Sequence, residues 1–298
     1  MFRILSLDGG GMRGIIPATF LVKLEERLGA PIANFFDMIV GTSTGGILTC
    51  IYLVKGADGK PKYNAQDALN LYVRNGHKIF ERTIVEEIET LDGVLRQKYS
   101  TKNMQKLIED HVGDKTLQDL YKKCLIMTYD LNAYQPHVFD ETQEHTLKDV
   151  AMATSAAPTY FPPHQVGDMV CVDGGMYANN PALVAYSRAR ETHRNSEIFI
   201  LSIGTGIPDY SYSYDKVHNF NMAQWARPAI NCMIDGSVQE VDRQLKHLYR
   251  RNPTNYVRID AKIPVDDASF DNTSPKSIER LRFLGEKLAH EAYRSGVM

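Results

Sequence analysis

Residues 36–54 read FDMIVGTSTGGILTCIYLV. A short apolar run from Phe36 to Val40 leads directly into two glycines that bracket a serine. An apolar segment suited to a helix then runs from Thr44 to about Val54. Strand, tight turn and helix follow one another with no spacer, which is the repeating unit of an α/β protein. A run this short and apolar suits the middle of a parallel sheet, where both faces are covered. Upstream, Phe2 to Leu7 predicts a strand ending at a glycine cluster. Ile15 to Leu28 predicts a helix, with Pro17 in its first turn and Gly29 just past its end. Downstream, strands are expected at Cys124–Thr128, Met169–Val172 and Ile198–Ile203. A helix is expected at Pro181–His193, with Asn180 as N-cap and Pro181 at the first helical position. Helical patterns recur over Met222–Leu248 and Ser277–Tyr293. Residues 64–120 read as a mostly helical, charged insertion or cap packed beside the sheet.

The whole chain, 1–298, reads as one domain. Its 34 Lys plus Arg stand against 36 Asp plus Glu, a net charge of −2, with 43% apolar and 23% charged residues. These are globular averages and exclude a disordered, collagen-like or coiled-coil chain. The charge balance argues against a nucleic-acid binder, which would need a concentrated basic surface. No apolar run approaches the ~18 residues of a membrane span. Asp8 and Arg13 interrupt the apolar N-terminal stretches, so no secretory signal is read. The four cysteines, at 50, 124, 171 and 232, form no CxxC pair. The expectation is a cytoplasmic protein with free thiols, at most peripheral to membranes.

Three segments carry candidate chemistry. Gly41-Thr42-Ser43-Thr44-Gly45 matches G-x-S-x-G in the strand–turn–helix context of a nucleophile elbow. There the glycines allow a sharp turn that pushes the hydroxyl outward, and the helix N-terminus faces the developing anion. An ordinary glycine-flanked turn is the bland alternative. Asp8-Gly9-Gly10-Gly11-Met12-Arg13-Gly14 follows the first strand. Its uncovered N–H groups suit an anion nest or oxyanion hole. It also fits the dinucleotide fingerprint G-x-G-x-x-G. That fingerprint wants an acidic residue at the end of the next strand, whereas Asp37 lies at the beginning of one. Asp173-Gly174-Gly175 is expected at the end of a parallel strand, where the aspartate can accept the serine proton directly. Of the nine histidines, none has the local context of a base; His164 is the least dismissible because it lies close in sequence to the Asp173 strand. Tyr210, Tyr212 and Tyr214 read as an irregular surface loop, with an aromatic flap as the sharper alternative. Asp266, Asp267 and Asp271 read as a solvated acidic loop rather than a calcium site. Arg250-Arg251 and Lys122-Lys123 read as solvated surface.

Together these motifs resemble the patatin-like phospholipase family. Residues 8–14 look like its oxyanion loop, residues 41–45 like its nucleophile elbow, and Asp173-Gly174-Gly175, followed by Ala178-Asn179-Asn180-Pro181, like its catalytic aspartate segment. Ala153 to Phe161 and Ser202 to Gly206 resemble two further family stretches. The resemblance covers about residues 3–206, in the family's order; 207–298 is a less diagnostic, helical part. It implies a three-layer α/β/α sandwich around a mostly parallel sheet. It also implies a Ser43–Asp173 dyad without histidine, metal or cofactor. Gly10 and Gly11 would hold the oxyanion, and Arg13 would support the loop or a polar headgroup. The implied activity is hydrolysis of fatty-acyl esters through an acyl-enzyme, placing the chain in lipid degradation. Membrane phospholipid or another acyl lipid would be its partner, met in transient contact with the membrane surface. A regulatory ligand and the oligomeric state stay open. Two rivals stand beside this reading: a nucleotide-binding oxidoreductase using the 9–14 loop, and a non-catalytic lipid-binding relative.

Overall fold

The computed structural model describes residues 1–80 and 99–296. The part of the expected helical insertion that falls on 81–98 lies outside the described residues. Along the chain run β1 (Phe2–Leu7), α1 (Ile15–Leu28), β2 (Met38–Thr42), α2 (Thr44–Leu53), α3 (Ala65–Ile79) and α4 (Lys102–Val112). Then come β3 (Lys123–Asp130), β4 (Gln135–Asp140), α5 (Leu147–Thr154), β5 (His164–Val166) and β6 (Met169–Asp173). A helical turn at Gly175–Ala178 precedes α6 (Ala182–Thr192), β7 (Ile198–Ile203), α7 (Met222–Leu248), β8 (Tyr256–Ile259) and α8 (Pro275–Arg294).

The main sheet has the order β5-β6-β3-β2-β1-β7-β8, with β4 paired to β3. Strands β3, β2, β1, β7 and β8 are mutually parallel. Strands β4, β5 and β6 add antiparallel pairs on one side. Period-two alternation sends side chains to two cores. Leu5, Leu7, Ile39 and Ile203 pack with Phe20, Leu21, Leu48 and Leu281 from α1, α2 and α8. Ile4, Met38, Val40 and Ile200 pack with Ala182, Ala185, Ala189 and Leu245 from α6 and α7 on the opposite face. The result is the expected three-layer α/β/α arrangement, with near-continuous apolar strands at its centre. Among the described residues, no helix is long and apolar enough to cross a membrane.

Several elements fall where the sequence placed them, including α1, β7 and α7, and Gly29 closes α1 in the left-handed conformation at φ 68°. Others move. β2 starts two residues late because Asp37 is engaged at its mouth, where its Oδ2 accepts the Arg3 N–H at 2.8 Å. Helix α6 begins at Ala182, so Pro181 is the N-cap; Asn180 Oδ1 accepts the Ala182 N–H at 3.0 Å from one residue further out. The strand carrying Asp173 is antiparallel to β3, not parallel as expected.

That reversal positions the site. β4 occupies one edge of β3 over residues 125–130. On the opposite edge, β2 pairs as far as Thr42 with Met127, and β6 takes over with Asp173 opposite Thr128. Strands β2 and β6 therefore point at each other along one edge of β3. Their ends, Thr42 and Asp173, meet over the adjacent β3 residues Met127 and Thr128, and Ser43 follows directly on Thr42.

Candidate active site

Ser43 has φ 56° and ψ −122°, the N-terminal cap position of α2. A non-glycine residue in this region carries backbone strain and persists only where its surroundings over-determine it. Here they do. The Ser43 N–H donates to Thr154 Oγ1 at 2.9 Å, and Thr154 in turn donates to the Met127 carbonyl at 2.5 Å. Thr42 Oγ1 donates to the Ala178 carbonyl at 2.6 Å. Thr44 Oγ1 donates to the Tyr72 hydroxyl at 2.6 Å. The bracketing glycines are required by close approach: a Cβ on Gly41 would lie 2.1 Å from the Gly45 carbonyl oxygen, and one on Gly45 would lie 2.2 Å from that of Leu7.

Asp173 is buried; its carboxylate accepts the Gly175 N–H at 2.7 Å and lies beside the Ser43 hydroxyl in the same cleft. Burial pushes its pKa up to about 6, and the neighbouring Ser43 hydroxyl and Gly175 N–H limit the rise. Gly174 is pressed against β3, where a Cβ would lie 2.4 Å from the Met127 carbonyl oxygen.

The glycine loop lies against both. A Cβ on Gly9 would approach the Ser43 Cβ to 3.2 Å. The Gly9 carbonyl accepts from Thr205 Oγ1 at 2.7 Å and from Asn179 Nδ2 at 3.2 Å. Not every N–H of residues 9–14 is free. Gly9 donates to the Asn179 carbonyl, Met12 to that of Phe270 and Arg13 to that of Gly10. Among the described residues, the N–H groups of Gly10 and Gly11 have no backbone acceptor. They line the cleft with Ser43 and Asp173. The Arg13 guanidinium does not line it: it is buried over the Phe270 ring at 4.6 Å. Desolvation lowers its pKa, and the negative charge of Asp235 opposes that. Gly14 packs on Thr44, joining loop to elbow.

The cleft encloses about 270 Å³ and is mostly apolar, with Ile47, Ile79, Phe80, Met104, Phe161 and Ile234 on its walls. Among the described lining residues, Asp173 is the only carboxylate and none is a histidine. His164 lies elsewhere, in β5, with Nε2 3.0 Å from Asp149 Oδ1. Tyr210 reaches the cleft wall, stacked on Tyr212 at 6.0 Å. The acidic loop is not solvated throughout: Asp267 is buried and paired with the Arg280 guanidinium. Among the described residues, no group of three or more His, Cys, Asp or Glu side chains is arranged to hold a metal ion.

Sequence reasoning missed a buried ion network beneath the loop. Arg258, from β8, bridges Asp8 at 2.6 Å and Asp260 at 2.6 Å, and donates to Ser202 at 2.8 Å. Burial raises the Asp8 pKa to about 6 against the pull of Arg258. Nothing local marks Arg258, which lies about 250 residues from Asp8. Thr154, Asn179 and Thr205 stand in the family-like stretches, and each makes a hydrogen bond that braces the elbow or the loop.

A family model described as patatin-like phospholipase matches residues 5–186. Patatin-like protein 2 of Arabidopsis thaliana is 32% identical, over 96% of this chain and 82% of that protein. Another Arabidopsis thaliana relative, named probable inactive patatin-like protein 9, is 31% identical over 97% of this chain and 83% of its own. Among solved structures, VipD from Legionella pneumophila aligns with a TM-score of 0.49 at 13% identity, over 99% of this chain and 67% of that one. The family model spans more than half of the chain and the first relative nearly all of it, so the chain belongs to the patatin-like phospholipase family.

Proposed function

We propose that the protein is a serine acyl hydrolase that cleaves fatty-acyl esters of membrane lipids, with Ser43 as nucleophile and Asp173 as its base. The observation that carries this reading is the placement, in one cleft, of a serine at a strained elbow beside a buried aspartate whose pKa burial raises to about 6. A base of that pKa is largely ionised at neutral pH yet far more basic than an exposed carboxylate.

In the first half-reaction the Ser43 Oγ attacks the ester carbonyl carbon and its proton passes to Asp173. The carbonyl oxygen becomes an oxyanion, to which the free N–H groups of Gly10 and Gly11 donate near the N-terminus of α2. The intermediate collapses as the bond to the leaving alcohol breaks, and Asp173 returns its proton to that alcohol. Water then attacks the acyl-enzyme, Asp173 takes the water proton, and the fatty acid leaves as Ser43 regains a proton. Arg13, held over Phe270 and away from the cleft, serves to shape the loop rather than to bind a headgroup. The apolar walls suit an acyl chain, and contact with a membrane surface would deliver it.

The dinucleotide alternative finds little support. The loop opens onto Ser43 and Asp173, and three of its N–H groups are already bonded within the protein. Since one relative carries the word inactive in its name, the decisive experiment is direct: reaction with a fluorophosphonate, and release of fatty acid from phospholipid vesicles by wild type, Ser43→Ala and Asp173→Asn. Labelling at Ser43 and hydrolysis by the wild type alone are expected. Hydrolysis retained by Ser43→Ala would remove the acyl-enzyme mechanism.

A further inference from the structure

A second groove adjoins the cleft. It is lined by Tyr129, Leu131, Tyr134, Pro163 and Val172, and shares Pro158, Thr159, Phe161 and Met176 with the cleft that holds Ser43. The shared ridge has Phe161 buried at its base and Thr159 exposed at its crest, where Thr159 stands at φ 75°. For a β-branched residue this is a strained conformation, of the kind that clusters at ligand sites. The outer rim is uncovered. Tyr134 is 80% exposed and Leu131 is 42% exposed, both in the turn between β3 and β4.

We propose that this outer groove holds the acyl chain of a two-chain lipid that is not being cleaved, while the chain on the scissile ester lies in the inner cleft. The proposal rests on the reading of Ser43 as the nucleophile. Two chains esterified to neighbouring glycerol carbons leave the reacting ester side by side, so a second chain site must share a wall with the first. The Pro158–Phe161 ridge is such a wall. The lining also selects a chain over a headgroup. Among the described residues its lining holds no lysine, arginine, histidine, amide or carboxylate; its polar side-chain atoms are the hydroxyls of Tyr129, Tyr134 and Thr159, so a charged headgroup held there would lack a counter-charge. A hydrocarbon chain loses nothing by that and removes exposed apolar surface from water.

The test compares three substrates: dioleoyl phosphatidylcholine and 1-oleoyl lysophosphatidylcholine in the same non-ionic detergent micelles, and the soluble ester p-nitrophenyl butyrate. Losing the burial of two methylenes costs about tenfold, so the wild type is expected to favour the two-chain lipid by about tenfold or more in kcat/KM. Leu131→Glu places a charge in the groove from an exposed turn position, where folding is not at stake. It should remove that preference, leaving the lysolipid and the soluble ester within about twofold of wild type. Tyr134→Gly, which suits the φ of 54° at that position, should act in the same direction. Equal losses on both lipids, or a wild type without two-chain preference, would overturn the subsite while the soluble ester reaction stands. A wild type that hydrolyses none of the three and is not labelled at Ser43 would instead remove the underlying assignment, and the subsite with it.

Discussion

Replacing Asp173 with asparagine is expected to make the protein more stable as it makes it inactive. Burial raises the carboxyl pKa from 3.8 to about 6, so the folded state disfavours the charged form that catalysis needs. The sign follows from linkage: between those two values the folded state binds the proton more tightly than the unfolded chain, and stability is lost as pH rises through the folded pKa. A shift of this size corresponds to about 3 kcal/mol of lost stability at pH 8, falling to about half that at pH 5 and towards zero near pH 4. Asparagine has no such charge. Its Oδ1 can still accept the Gly175 N–H, and its amide can donate to the neighbouring Ser43 Oγ. Thermal unfolding should therefore show Asp173→Asn melting roughly 5 °C above wild type at pH 8. The gap should narrow steadily as pH falls to 4. The same preparations should hydrolyse ester at least ~10³-fold more slowly than wild type. A gap that is constant with pH, or a less stable variant at pH 8, would refute the claim that Asp173 is held charged against burial. Retained activity would refute its role as base.

Other outcomes follow from the same geometry. Ser43→Ala should lose ~10³-fold or more in hydrolysis and all fluorophosphonate labelling, and combining it with Asp173→Asn should cost no more than either alone, as expected for one catalytic unit. Gly10→Ala should lower kcat ~10²-fold, in line with a lost oxyanion donor. The reason is packing, since Gly10 is extended at φ 168° and its new Cβ would lie 2.3 Å from Thr205 Oγ1; unchanged kcat in steady-state assays would release Gly10 from that role. His164→Ala should keep activity within about twofold, because its ring pairs with Asp149, and the loss of a part-exposed pair should cost at most about 1 kcal/mol in a melt. Chelation should leave the rate unchanged, since Asp267 is committed to Arg280; a calcium-dependent rate would reopen the 266–271 loop.

Much of the site was legible along the chain because each motif is local. An apolar run ending at Val40, glycines at 41 and 45 and the helical segment after Ser43 are separated by a few residues, so turn chemistry alone predicts an exposed hydroxyl at a helix start. The same holds for the glycine loop after Leu7 and for Asp173-Gly174-Gly175. Strand direction was not legible. An apolar stretch such as 169–173 pairs equally well either way, and only β3, already flanked by β2 and β4, leaves an antiparallel place for it. That placement is what brings two distant motifs side by side in one cleft. Which loop amides are free was also decided in three dimensions, because the acceptors at Asn179 and Phe270 come from remote segments. The 207–298 part looked undiagnostic for the same reason: Arg258 and Phe270 act on the loop at residues 8–14 through space, and a single arginine or phenylalanine carries no mark of its partner in the order of the chain.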